Sequence, residues 1–174
     1  GELFHDGGVP EGFYEIPFGE PDVKRSGKDV TIITIGATLY TATKSADMLK
    51  EQYGMEAEVI DLRSLVPINY DPIIESVKKT GRVVLASDAC QRGSYLNDIA
   101  QNISELAFDY LDAPPVVVGS KNWITPAYEL EKAFFPQPDW ILDAIHQKIV
   151  PLQGHSSKVN FSAIDKIQNS KAGV

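Results

Sequence analysis

The chain has 174 residues, a formal net charge of −8 and one cysteine. Its length suits one domain that buries a continuous core without disulfides or a structural metal. The acidic balance argues against the basic stripe of a nucleic-acid surface, and no apolar run is long enough for a membrane-spanning helix. Cys90 alone cannot close an internal disulfide, and no signal peptide opens the sequence, so a reducing intracellular compartment is expected.

Residues 1–20 carry glycine, proline and charge without periodicity and read as a linker or docking arm. Phe4, Phe13, Tyr14, Ile16 and Phe18 are many large apolar groups for a solvated tail, so part of this arm is expected on another domain or chain. Pro21 to Arg25 can add a short polar edge strand, with plain loop as the alternative; Lys24 and Arg25 protect such an edge from unwanted pairing.

Asp29 to Ile35, DVTIITI, is the clearest strand, β-branched and ended by Gly36, and belongs at the centre of a sheet. Thr38 can cap the following helix, in which Leu39, Ala42, Ala46, Leu49 and Tyr53 share one face and Gly54 supplies the stop. A buried strand follows over Ala57 to Leu62. Asp71, Pro72 and Gly81 then write both ends of another helix, with Asp71 as cap, and Arg82 to Ala86 forms the next strand. Gly93 to Leu111 reads as the longest helix, with Leu96, Ile99, Ile103, Leu106 and Tyr110 inward. Pro115 to Gly119 is a last short buried strand, Pro126 opens a short helix through Phe134, and Asp139 to Ile149 gives a final amphipathic helix. Leu152 to Val174 reads as a tail with one weak helical turn near Ala163 to Ile167.

Four strands alternating with helices predict a doubly wound α/β sandwich. With the Asp29 strand central, its neighbours lie on either side, and a switch point opens between Gly36 and Ser87, where such sheets bind ligands. Gly36, Thr38, Ser87, Asp88 and Arg92 are the candidate lining of that crevice. The loop at Gly36 matches no dinucleotide or nucleoside triphosphate fingerprint. Cys90 lacks a base at any suggestive spacing, since His5, His146 and His155 lie in the arms or the last helix, and it reads as a non-catalytic thiol. Asp88 and Arg92 are expected to cap and pair at the helix that follows. Trp123 and Ile124 read as exposed or interfacial. No metal cluster and no complete catalytic set emerges from the residues alone.

Taken together, Ile16-Pro17, Gly19, Asp22-Val23, Arg25, Gly27 and DVT from Asp29, then EVIDLRSLVPINYD from Glu58, SVKKTGRVV from Ser76, a glycine-opened helix and LDAPPVVVG from Leu111 form a pattern. It resembles the C-terminal, transketolase-C-like domain of the beta chain of thiamine-diphosphate-dependent 2-oxo acid dehydrogenases of the pyruvate, branched-chain and acetoin type. The likeness runs from about Val9 to Ile149. It implies a three-layer α/β/α sandwich around a five-stranded mixed sheet, with Pro21 to Arg25 as its antiparallel edge, and a domain spanning 21–150 between a linker and a tail after Pro151.

The resemblance also implies a role. Thiamine diphosphate and magnesium belong to the full enzyme and sit between two other domains, not on this one. The C-terminal domain serves assembly: beta-chain self-association, contact with the alpha chain or domain, and docking of the subunit-binding domain of the dihydrolipoyl acyltransferase. Phe13, Tyr14, Trp123 and Ile124 are the candidate interface, in a cytoplasmic protein or one of the mitochondrial matrix. Where many relatives carry His-Glu-Ala, this chain has Ser87-Asp88-Ala89, so that histidine's role is not carried over. The Gly-Gly that follows reads Gly93-Ser94, and the loop Ser120 to Pro126 lacks the usual Asp and paired prolines. Two rivals stand beside this reading. One is the C-terminal domain of transketolase or 1-deoxyxylulose-5-phosphate synthase, which the run DLRSLVPINYD disfavours; the other is a non-catalytic ligand-binding module that uses the crevice.

Overall fold

The computed structural model describes residues 11–161. Its five strands are β1 (Asp22–Arg25), β2 (Val30–Thr34), β3 (Ala57–Asp61), β4 (Val83–Cys90) and β5 (Val116–Ser120). They form one sheet in the order β1-β3-β2-β4-β5, parallel throughout except for β1, which pairs antiparallel with β3. The helices are α1 (Thr38–Tyr53), α2 (Asp71–Thr80), α3 (Tyr95–Leu106), α4 (Glu131–Phe134) and α5 (Pro138–Lys148).

Alternation along the strands divides the core into two layers. Val30, Ile32, Val59, Val84, Ala86, Val116 and Val118 pack under α1 and α5, which contribute Ala42, Ala46, Leu49, Ile141 and Ile145. Ile33, Val83, Leu85 and Val117 pack under α2 and α3, through Ile73, Val77, Leu96, Ile99 and Ile103. The three-layer sandwich and its mixed sheet are therefore as expected. Ile32, Ile33 and Leu85 are fully buried, and each such side chain contributes about 1.5–3 kcal/mol relative to an exposed one.

Two groups of polar side chains inside the sandwich are satisfied by one another. Thr31 Oγ1 lies 2.7 Å from both Ser76 Oγ and Thr80 Oγ1, which joins β2 to α2. Glu58, 4% exposed, pairs with Lys79 and accepts the Gly27 N–H at 3.4 Å. Burial pushes the Glu58 carboxyl up, but the Lys79 ammonium, the Ser76 hydroxyl and that N–H together hold it below the ordinary range. Gly27 passes so close to β3 that a Cβ there meets the Ala57 carbonyl carbon at 2.2 Å.

Several boundaries depart from the sequence reading. Thr38 does not cap α1: Ala37 is the N-cap, and Thr38 is the first helical residue, 5% exposed. Asp71 likewise opens α2 and caps nothing; its own N–H donates to Asn69 Oδ1 at 3.0 Å. The longest helix is α1, at 16 residues, because α3 stops after 12 at Leu106. α3 ends on Leu106, 57% exposed, and a 3-10 turn over Phe108–Tyr110 follows and leaves Tyr110 50% exposed. β4 runs on past Ala86 through the polar Ser87-Asp88-Ala89, with an irregularity before Cys90 pairs opposite Ser120.

The segment after Pro151 does not trail away within the described residues. Leu152 and Phe161 are 4% and 6% exposed and join the α1–α5 layer. The expected turn near Ala163 to Ile167, and Phe4 and His5, lie outside the described residues.

Candidate functional site

The crevice forms where β2 and β4 lie side by side and their following helices leave on opposite faces. Thr34 pairs with Ala86 at that point. Gly36 turns the chain with φ 65° and opens α1, so it is needed for its backbone conformation; a Cβ there meets nothing within 4 Å. Leu39 N–H and Tyr40 N–H already donate to Gly36 O and Ala37 O, at 3.1 and 3.2 Å. The Thr34 hydroxyl is buried at the base of the crevice and finds no hydrogen-bond partner.

At the other lip, Ser87 is turned inward, 3% exposed, and its Oγ accepts the Ala89 N–H at 3.2 Å. Asp88 and Arg92 are exposed and do not pair with each other, contrary to expectation. The cap of α3 is Ser94, whose Oγ accepts the Leu96 N–H at 3.1 Å, and the Arg92 N–H is held by Asn122 Oδ1 at 3.0 Å. Of the five candidate residues, Gly36, Asp88 and Arg92 reach solvent, while Thr38 and Ser87 belong to the walls. Cys90 is an exposed free thiol. His155 packs on Tyr53 at the far end of α1, 15 residues beyond Thr38, so about 22 Å of helix lies between Tyr53 and the end of α1 at the crevice. No three His, Cys, Asp or Glu side chains among the described residues gather to hold a metal.

The candidate interface residues lie on the surface. Phe13, Tyr14, Ile16 and Phe18 are 90, 53, 57 and 89% exposed, and Trp123 and Ile124 are 51 and 93% exposed. The arm is nevertheless pinned where it meets the sheet. Gly19 N–H donates to Ser64 Oγ at 3.0 Å, Asn69 N–H donates to Gly19 O at 2.7 Å, and Asn69 Nδ2 reaches the Glu20 carboxylate. Arg63, held at φ 59°, pairs with Asp22 and so ties β1 to the end of β3. The Lys24 ammonium beside Asp22 and the Arg63 guanidinium outweigh burial and hold the Asp22 carboxyl below its usual range.

One polar cluster escaped the sequence reading. Asp143, fully buried on α5, accepts from His155 Nε2 at 2.6 Å, from Lys158 N–H at 2.9 Å and from Val159 N–H at 2.8 Å. A carboxylate only accepts, so Nε2 carries the proton, and in the neutral ring Nδ1 accepts the Tyr53 hydroxyl, 2.7 Å away. One turn on, the Gln147 side chain holds Val159 O and Phe161 N–H at 2.6 and 2.8 Å. Its signal was present: a carboxylate inside the apolar stripe of Trp140, Ile141, Leu142, Ala144 and Ile145 demands partners. The cluster fastens 152–161 onto α5, beside a cleft of about 350 Å³ lined in part by His146, Gln147 and Lys158.

A family model described as "Transketolase, C-terminal domain" matches residues 19–141, from the pinned arm through β5 into α5. The chain belongs to the transketolase C-terminal domain family. Its curated relatives include the beta subunit of acetoin:2,6-dichlorophenolindophenol oxidoreductase of Bacillus subtilis (strain 168), 41% identical over 78% of this chain and 40% of that protein. The beta subunit of the pyruvate dehydrogenase E1 component of the same organism is 37% identical over 78% of this chain and 41% of that protein. The beta subunit of 3-methyl-2-oxobutanoate dehydrogenase of Mycobacterium tuberculosis (strain ATCC 25618 / H37Rv) is 38% identical, over 76% of this chain and 38% of that protein. Among solved structures, a split-gene transketolase in an inactive beta4 tetramer superposes with a TM-score of 0.56 at 34% identity, over 72% of this chain and 41% of that one. This transketolase C-terminal domain thus spans about two fifths of the length of these relatives.

Proposed function

We propose that this chain is the C-terminal domain of the beta-type part of a thiamine-diphosphate-dependent 2-oxo acid dehydrogenase, serving assembly and shaping the mouth of the active site. The reaction of the whole is oxidative decarboxylation of a 2-oxo acid with acyl transfer to a lipoyl group. The observation that carries this reading is the agreement of three beta subunits, each matched over about two fifths of its length. On this reading the remaining three fifths hold the cofactor and its magnesium, residues 1–20 are the linker to them, and 21–150 is the folded domain. No helix among the described residues is long and apolar enough to cross a membrane.

Support for an assembly role comes from the exposed Phe13, Tyr14, Trp123 and Ile124, which have no place in the domain's own core. The partners in this account are a second beta chain, the alpha chain or domain, and the subunit-binding domain of the acyltransferase. Calorimetric titration of the chain with thiamine diphosphate and Mg²⁺ is expected to give no binding heat. Micromolar binding by this domain alone contradicts the division of labour.

A second reading keeps the crevice for a small anion, favoured by the unpartnered Thr34 hydroxyl beneath a helix whose N-cap, Ala37, makes no side-chain capping hydrogen bond. Titration with inorganic phosphate, followed by the amide resonances of Gly36 to Leu39, tests it. Unmoved resonances dispose of it.

A further inference from the structure

The segment that leaves α5 turns back and lies against it, with no helix or strand of its own through Phe161. Two α5 side chains one turn apart, Asp143 and Gln147, hold it by its backbone. The N–H groups of Lys158 and Val159 both donate to Asp143 Oδ2, at 2.9 and 2.8 Å. Gln147 Nε2 donates to Val159 O at 2.6 Å, and Gln147 Oε1 accepts the Phe161 N–H at 2.8 Å. None of these bonds depends on which side chains the segment carries. Asp143 is fully buried, so its carboxylate requires such donors.

Three side chains supply the selection. The His155 imidazole, with 9% of its side chain exposed, bridges Asp143 Oδ1 and the Tyr53 hydroxyl at 2.6 and 2.7 Å. Phe161 is buried and Val159 half-buried, and both pack on the α1–α5 layer. Ser156 and Ser157 between them are exposed. A cleft of about 350 Å³ opens between α5, at His146 and Gln147, and the segment from Ser157 to Asn160. The segment is therefore held at discrete points rather than by continuous packing. Backbone hydrogen bonds for affinity, and separate pockets for chosen side chains, are the two parts of a peptide-recognition site.

We propose that this face of α1 and α5 is a peptide-binding groove, with 155–161 its ligand in cis, and that it takes in trans the same segment of a second copy of this chain. The pattern it reads is an imidazole followed by Val and Phe four and six positions on. A second copy carries that pattern behind a hinge: Gln153 and Gly154 are exposed, and Gly154 turns the chain at φ 75° just ahead of His155. The cis segment has the advantage of its tether, so the trans form gains where copies are held side by side. That last step rests on the assembly role proposed above; the groove itself does not.

A protease site inserted between Gln153 and Gly154 of the full chain lets the tether be cut with every residue still present. After cleavage the fragment from Gly154 onward is expected to stay with the body on gel filtration at about 50 μM. An amidated, fluorescein-labelled peptide of residues 154–161, added in excess, should replace it, as read by anisotropy. Alanine at His155 or Phe161 of the peptide, or Gln147→Ala in the body, should weaken binding at least about tenfold, whereas Ser156→Ala with Ser157→Ala should change it less than about twofold. If the cut body loses its circular dichroism, the peptide should restore it. A labelled peptide that neither binds nor restores the cut body overturns the groove, and so does a scrambled peptide that binds as well. For the trans step, deleting Gln153 and Gly154 denies the segment its own α5. That chain should form dimers in sedimentation velocity at concentrations where the parent is monomeric, and a monomer there overturns the exchange. Neither arm depends on what the complete protein catalyses.

Discussion

Replacing Asp143 by alanine removes the acceptor of three donors at once: His155 Nε2–H, Lys158 N–H and Val159 N–H. Each hydrogen bond to a charged acceptor contributes about 1.5–3 kcal/mol, but the sum overstates the loss, because the freed donors regain water once 152–161 lifts from α5. What then disappears is the docking of that segment, including burial of Leu152 and Phe161 at about 1.5–3 kcal/mol each. The expected cost is about 3–5 kcal/mol, as for other broken buried pairs. Asp143→Asn should cost less, about 1–2 kcal/mol. Its carbonyl still accepts the two backbone N–H groups, and its amide donates to an imidazole that switches tautomer. Urea unfolding followed by far-UV circular dichroism gives both values. An alanine variant within about 1 kcal/mol of the parent, less than one such bond, refutes the reasoning, and so does an asparagine variant no more stable than alanine.

Gly27→Ala forces a methyl group to within 2.2 Å of the Ala57 carbonyl carbon, and only movement of backbone relieves it; destabilisation of about 1–3 kcal/mol is expected by urea titration. Glu58→Gln tests linkage. The Glu58 carboxyl is lowered in the folded chain, so its contribution is fully present above the unfolded value of about 4.3 and fades as pH falls through the folded one. The glutamine variant should therefore be less stable than the parent near neutrality and lose less on acidification. Parallel stability–pH curves for the two proteins contradict that linkage.

The parts of the fold that were legible were those written locally. β2 declared itself by an unbroken β-branched run, and α1 and α2 by glycines that sit at φ 66° and 67° just past their ends. β1 was different: its four residues are exposed or half-exposed and all but Val23 are charged, so only the family pattern distinguished an edge strand from a loop. The end of β4 is not legible because Ser87, Asp88 and Ala89 carry no strand signal; they form the irregular stretch between the Ala86–Val118 and Cys90–Ser120 pairs with β5. Leu106 and Tyr110 keep helical spacing in the sequence, but α3 ends on the exposed Leu106 and Tyr110 falls in the 3-10 turn that follows. The crevice could be placed from strand order, but not which of its residues turn inward. The fastening of 152–161 depends on Asp143 and Gln147 reaching residues 12 to 16 positions away, which no local window joins.

The central claim is that this domain's exposed aromatic surface exists for assembly, and sedimentation velocity on the chain and on Trp123→Ala tests it most directly. The account predicts that the parent chain self-associates at tens of micromolar. Trp123→Ala should weaken that association at least about thirtyfold, the loss of one aromatic anchor of about 2 kcal/mol, while the fold stays intact by circular dichroism. A parent chain that remains monomeric at every concentration, or an association indifferent to Trp123, contradicts it.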